Sequence, residues 1–119
     1  MAVTPEQLLD AAAKLERGDS EADWRNAASR AYYATYHRCR AMAQDERVSV
    51  PDGGSHHAAL ADALMRGINA PIRRIGHMLD LCRSRRARAD YQIDATFPRQ
   101  LGRTVVEDCR RILSEADGV

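Results

Sequence analysis

Lysine is almost missing from this chain: Lys14 stands alone, and arginine supplies the rest of its 18 basic side chains. Against 17 Asp and Glu they leave a net charge of +1, so the total charge gives no reason to expect a nucleic-acid or membrane partner. No stretch approaches the roughly 18 uncharged apolar residues that a membrane span needs. The first residues also lack a basic region followed by an apolar run, so a soluble, cytoplasmic protein is expected. Cysteine is scarce too. Cys39, Cys82 and Cys109 are an odd number without metal-ligand spacing, which points away from zinc and toward reduced, buried thiols. Neither a metal nor a cofactor is expected. No alternation of β-branched residues marks a strand, and there is no repeat and no low-complexity tract. What remains is an all-α chain, and 119 residues fit one domain spanning 1–119.

Aromatic residues are few, but Trp24, Tyr32, Tyr33 and Tyr36 gather in one stretch, Trp24 to Ala43. It has no Gly or Pro and is rich in alanine. Ser20 stands ahead of it as a helix N-cap, with Glu21 and Asp23 in the first turn, so a helix is predicted. At about 100° per residue, Trp24, Ala27, Ala28, Ala31, Thr35, Cys39 and Met42 share one arc, which should be core. Asn26, Arg30, Tyr33, His37 and Gln44 lie on nearly the opposite side, with Arg40 beside them.

The other helices follow from caps and periodicity. Thr4-Pro5-Glu6-Gln7 carries an N-cap, a proline at the first helical position and a capping-box glutamine. Leu8, Leu9, Ala12 and Leu15 mark the buried face of that helix, and Arg17-Gly18 ends it. Residues 45–54 read as the longest and most mobile loop, with Pro51, Gly53 and Gly54. Ser55 caps a third helix whose apolar set is Ala59, Leu60, Ala63, Leu64 and Ile68, with Gly67 and Asn69-Ala70-Pro71 ending or kinking it. A fourth helix carries Ile72, Ile75, Leu79 and Cys82, then turns arginine-rich up to Ala89-Asp90-Tyr91. After Pro98 a last helix presents Leu101, Val105, Cys109, Ile112 and Ala116. An antiparallel bundle of four to five helices accommodates them.

One constellation has the chemistry for catalysis. Arg30 and His37 are two helical turns apart, roughly 10 Å at ~1.5 Å rise per residue, so both can reach one phosphate. A histidine titrates near neutrality and can move a proton from a ribose 2′-hydroxyl, while an arginine holds the phosphate and spreads its charge. Tyr33, Asn26 and Arg40 are placed on the same face to bind substrate. Tyr32 and Tyr36 read as packing residues with hydroxyls at the rim. His56 and His57 point about 100° apart as helix neighbours and lack partnering carboxylates, so they read as helix-start residues, not metal ligands. The run Arg73, Arg74, Arg83, Arg85, Arg86 and Arg88 reads either as a solvated helix face or as a phosphate-facing surface. Asp90 is expected to pair with one of these arginines.

Ser29-Arg30-Ala31-Tyr32-Tyr33-Ala34-Thr35-Tyr36-His37 resembles the Ser-Arg-Ala-Tyr-Tyr-Ala-x-x-His core of the HEPN domain family. Ser55-His56-His57 and the Arg-x-x-Ala-Asp-Tyr run of Arg86 to Tyr91 are similar to that family's second half. The resemblance covers roughly residues 4 to 115. It implies a helical bundle that dimerises and, as in the family's ribonucleases, an Arg and a His with four to six residues between them forming an active site across the dimer. Here the matching residues are Arg30 and His37. Many such members are toxins of toxin-antitoxin or phage-defence systems, encoded beside a small nucleotidyltransferase. The implied function is therefore a metal-independent endoribonuclease, with RNA as substrate, a homodimer as the working form and an antitoxin or nucleotidyltransferase as partner. The alternative is a non-catalytic HEPN module that binds a nucleotide or a partner protein. Active members commonly carry a polar residue directly after the arginine, and this chain has Ala31 there.

Overall fold

The computed structural model describes residues 2–119 and contains five helices: α1 Pro5–Glu16, α2 Glu21–Asp45, α3 His56–Met65, α4 Ala70–Tyr91 and α5 Arg99–Asp117. Among the described residues there is no strand, so the molecule is an all-α bundle of five helices. None of the helices is long and apolar enough to cross a membrane.

The caps form where the side chains allow them. The Thr4 hydroxyl accepts from the Gln7 amide at 3.1 Å, and the Gln7 side chain accepts from the Thr4 amide at 2.9 Å, satisfying two orphan donors of α1 at once. Ser20, Ser55 and Asn69 accept from the backbone of α2, α3 and α4 in the same way. α5 follows Pro98 at its N-cap position and has no side-chain cap. It is seated instead by Phe97, whose ring is fully buried and whose amide donates to the Glu21 carboxylate.

The direction of each helix can be read from its cross-links. Arg103 pairs with Glu16 at 2.8 Å and sets α1 against α5, while Arg85 with Asp108 and Arg74 with Glu115, both at 2.7 Å, join α4 to α5. In the two α4–α5 pairs, residue numbers rise in one helix as they fall in the other, so these two chain neighbours run antiparallel. The pairing of α2 with α5 is different. Trp24 lies against Gly102, Thr35 against Cys109 and Arg38 against Asp117, so these two helices pack side by side and run parallel. The antiparallel expectation holds for α4 and α5 and is corrected for α2 and α5. The 22-residue α4 returns the chain to the starting end and α5 then ascends beside α2.

The core arc of α2 is present: Ala27, Ala28, Ala31, Thr35, Cys39 and Met42 are buried, joined by Tyr32, Ala34 and Ala43. Alanines on this arc let α1, α4 and α5 approach the α2 backbone, and the larger Leu9, Leu79, Val105 and Ile112 fill the space from the other side. Trp24 departs from the expectation. Its ring is only partly buried, packing at the edge of the core with Nε1 donating to the Gly18 carbonyl at 2.9 Å and Arg99 over its face. Ile68 is a second correction, being 95% exposed. α3 ends at Met65 and the Gly67 amide bonds the Leu64 carbonyl, so Ile68 lies beyond the helix and off its apolar face. The segment between α2 and α3 is anchored by Val48 and Val50, both packed against the core.

Candidate functional site

α2 carries four arginines between its ends, and packing sorts them into two kinds. Arg25 donates to the carbonyls of Ala89 at 2.9 Å and of Gln92 and Ala95, capping the C-terminal end of α4. Arg38 does the same for α5, donating to the Ala116 carbonyl and the Asp117 carboxylate, each at 3.1 Å. Arg30 and Arg40 are exposed and make no hydrogen bond or ion pair among the described residues. His37 is exposed beside them, held only at the edge of the Tyr36 ring. Asn26 and Gln44 are likewise exposed, so the polar line predicted along α2 is presented outward as one face.

Tyr33 lies half-buried in this line and links it to α4. Its hydroxyl accepts from Arg86 Nη2 at 2.8 Å. Arg86 Nε lies 2.9 Å from Asp90 Oδ2, in an ion pair whose angle is too bent for a hydrogen bond, and Ser29 Oγ donates to the same Asp90 oxygen at 3.4 Å. The Arg86 guanidinium also sits over the rings of Tyr32, Tyr33 and Tyr91. Burial works against its charge, but the Tyr33 hydroxyl bond and the Asp90 carboxylate more than offset this, leaving its pKa above the usual arginine value.

Asp90 therefore pairs with an arginine, as its position predicted. The other arginines of α4 are engaged as well. Arg73 donates to the Gly67 carbonyl, Arg74 pairs with Glu115, Arg83 with Asp80 and Arg85 with Asp108, and Arg88 donates to the Thr96 carbonyl. This is a helix face engaged with its surroundings. The exposed, unpaired arginines of the site are on α2 instead.

His57 was not legible as part of this site, and the structure brings it in. It occupies the second position of α3 and, with His56, begins that helix as expected. Its ring packs against Tyr36 with centroids 4.4 Å apart and is also close to Tyr32 and Tyr33. Its Nδ1 is 2.9 Å from the Tyr32 hydroxyl. Burial, then Arg86, His56, Arg83 and His37, all disfavour the imidazolium and lower its pKa. Burial also raises the Tyr32 phenol above its ordinary value, so the neutral pair matches a Tyr32 hydroxyl donating to an unprotonated Nδ1. The sequence signal for His57 is its place beside Ser55 in the resemblance, not any spacing to Arg30 or His37.

The three cysteines are buried and free. Burial pushes the Cys39 thiol up to about 12, and hydrogen bonding to the Cys82 thiol together with burial raises Cys109 as well, so neither is a reactive thiolate. Among the described residues, no three His, Cys, Asp or Glu side chains converge in a way that could hold a metal ion. The arrangement presents a cation and an imidazole side by side on one open face, with a tyrosine between them whose position α4 fixes. Such a face can bind a phosphodiester and move a proton beside it. No family model, curated protein or solved structure matches this chain.

Proposed function

We propose that this chain is a metal-independent endoribonuclease of the HEPN kind, acting as a cytoplasmic homodimer and serving as the toxin of a toxin-antitoxin or phage-defence pair. One observation carries the reading. Arg30 and His37 are exposed on the same face of α2 and have no internal partner among the described residues, while every arginine on α4 is engaged. In this mechanism His37 takes the proton from a ribose 2′-hydroxyl, and the 2′-oxygen attacks the adjacent phosphorus. Arg30 binds the non-bridging oxygens and stabilises the charge that grows on them. The P–O5′ bond breaks, the 5′-oxygen leaves with a proton supplied by water, and a 2′,3′-cyclic phosphate remains. Tyr33, held by Arg86, positions the strand, with Asn26 and Arg40 binding it above and below. Incubation of the purified protein with total RNA in EDTA, comparing wild type with His37→Ala, tests it. Cleavage by the wild type alone is expected, and equal cleavage by both would overturn the assignment.

A second reading has its own observation. Ala31, the position where active HEPN members commonly carry a polar residue, is fully buried and offers no polar group beside Arg30. Under this reading the chain is a non-catalytic HEPN module, and the same face binds a nucleotide or a protein partner such as an antitoxin or nucleotidyltransferase. Absence of cleavage by wild type at micromolar protein, on any RNA present in the total pool, would favour it.

A further inference from the structure

The proposed chemistry uses one imidazole, yet a second stands beside the same face. His57 enters from α3 and packs its ring against Tyr36, with centroids 4.4 Å apart, and against Tyr33 at 6.0 Å. Tyr33 is the residue between Arg30 and His37 on the polar line, and the Tyr36 ring also lies 5.5 Å from that of His37. Two imidazoles thus flank one tyrosine ring at the edge of the face.

The tautomer of the second imidazole is set from inside the protein. Tyr32 is fully buried, and its hydroxyl has one partner among the described residues, His57 Nδ1 at 2.9 Å. A buried O–H without an acceptor forfeits its bond to water with nothing in return, so the phenol donates and Nδ1 accepts. A neutral imidazole that accepts at Nδ1 carries its one proton on Nε2. Nε2 makes no hydrogen bond among the described residues, and on this half-buried ring it is open to solvent. Protonation of the ring is opposed from every element around it. Arg83 and Arg86 on α4, His37 on α2 and His56 on α3 act with burial to lower its pKa, and an imidazolium would turn an Nδ1–H against the Tyr32 hydroxyl. A ring kept neutral is a poor proton source but a fixed hydrogen-bond donor.

We infer that His57 is a second phosphate contact of the Arg30–His37 face, its Nε2–H donating to a non-bridging oxygen of a bound phosphodiester in the tautomer that Tyr32 fixes. That this phosphodiester is the scissile one of an RNA strand rests on the ribonuclease reading, whereas the donor and its tautomer rest on the Tyr32 bond. His57 transfers no proton. The 2′-proton goes to His37, the leaving 5′-oxygen takes one from water, and His57 ends the step with the proton it began with. Its contribution is a hydrogen bond to an oxygen whose charge grows in the transition state, beside the charge that Arg30 supplies. Tyr32 is a positioning residue that acts only through His57.

Long-range proton–nitrogen correlation spectra of the imidazoles, recorded on the full chain above neutral pH, read the tautomer. His57 Nδ1 should appear as an unprotonated nitrogen and Nε2 as a protonated one, and Tyr32→Phe should release the ring to a mixture of tautomers. A protonated Nδ1 in the wild type overturns the inference. Titration with a short oligodeoxynucleotide, which has the phosphodiester but not the attacking hydroxyl, should shift the Nε2 signal. No shift at millimolar oligodeoxynucleotide overturns the contact, and this wild-type measurement decides even where a variant fails to fold. His57→Ala should weaken that binding by roughly tenfold or more, as loss of a hydrogen bond to a charged group does, and His57→Gln, which keeps an N–H donor, should recover most of it. Unchanged binding by a folded His57→Ala overturns the contact. On RNA, His57→Ala should slow cleavage by roughly tenfold or more and leave the shape of the pH profile unchanged, because the titrating imidazole is His37. An alkaline limb that disappears in His57→Ala would make His57 a general acid and overturn the neutral donor. Equal cleavage by wild type and His57→Ala sinks the contact alone. A wild type that binds the oligodeoxynucleotide through Nε2 but cleaves no RNA sinks the ribonuclease reading alone.

Discussion

The Arg86 guanidinium reaches from α4 to α2 and donates to the Tyr33 hydroxyl at 2.8 Å. The same group is paired with Asp90 one turn further along α4, so a single side chain fixes the tyrosine at the middle of the candidate site and joins two helices. With 11% of its side chain exposed, Arg86 is largely withdrawn from water, whereas Asp90, at 28%, lies at the surface.

Arg86→Ala removes the charged hydrogen bond to Tyr33 and leaves Asp90 to be solvated at the surface, so a loss of ~1.5–3 kcal/mol is expected. Arg86→Lys should recover less than half of this, because a point charge cannot serve the Tyr33 hydroxyl and the Asp90 carboxylate together as the planar fork does. Urea unfolding followed by circular dichroism measures both. A loss within ~0.5 kcal/mol of zero for Arg86→Ala would mean that the cross-link does not order the site.

Gly76 is where α4 crosses α3. A Cβ there would lie 2.5 Å from the Met65 amide nitrogen and 2.8 Å from the Leu64 carbonyl carbon, and backbone cannot swing aside as a flexible side chain would. Overpacking costs about 1–3 kcal/mol, offset by up to ~1 kcal/mol gained in helix propensity. Gly76→Ala should therefore destabilise the fold by about 1 kcal/mol and displace α3, which carries His56 and His57. Thermal unfolding, together with the amide signals of His56 and His57, reads out the two effects. A variant more stable than wild type would contradict the close crossing.

The local part of this fold was legible in the sequence because caps and periods involve residues three or four apart. The Thr4–Gln7 box, the Ser20 and Ser55 caps and the alanine arc of α2 all formed where composition placed them. What was not legible depends on partners far along the chain. Arg25 caps a helix more than sixty residues away, His57 packs against a tyrosine on another helix, and Phe97 fills the core from a connection without periodicity. Ile68 matched the apolar spacing of α3, but Gly67 had already let the chain leave the helix. Of the candidate site, the exposed line on α2 could be read from periodicity, whereas the Tyr33–Arg86 and Tyr32–His57 links could not. Periodicity sorts the faces of one helix and carries no information about which residue of another helix meets them.

His57 gives stability a pH dependence whose direction can be worked out. Its pKa in the folded state lies below the ordinary 6.5, so on acidification the unfolded chain takes up a proton before the folded one does. The favourable contribution is complete above about pH 6.5 and is lost as the pH falls through the lowered folded value. Arg83 and Arg86 from α4, His56 from α3 and His37 from α2 face the ring and oppose its charging, while the neutral Tyr32 hydroxyl bonds it. Urea midpoints at pH 7.5 and pH 5 should therefore differ more in wild type than in His57→Gln. Equal differences would show that the imidazole is not the group responsible.

Dimerisation and cleavage are expected to stand or fall together. The exposed line Arg30, Tyr33, His37 belongs to the proposed interface, so light scattering after size exclusion should give the mass of two chains at tens of micromolar, and a strict monomer would remove the basis for a composite site. In the dimer, cleavage should persist in EDTA and leave a 2′,3′-cyclic phosphate or a 3′-phosphate, because the attacking group is the neighbouring 2′-hydroxyl. DNA lacks that hydroxyl and should survive. His37→Ala should slow cleavage by roughly 10²- to 10⁴-fold, the contribution of a general acid or base, and Arg30→Ala should cost a comparable factor through lost charge stabilisation. Arg30→Lys should rescue little of it, since the bidentate grip on the phosphate is gone. Because both side chains are exposed and make no internal bond among the described residues, these variants should unfold at the wild-type urea midpoint, which separates lost chemistry from lost structure. Cleavage that survives in the Arg30→Ala, His37→Ala double variant, or that stops when magnesium is withdrawn, would overturn the mechanism and leave the non-catalytic module as the reading of this face.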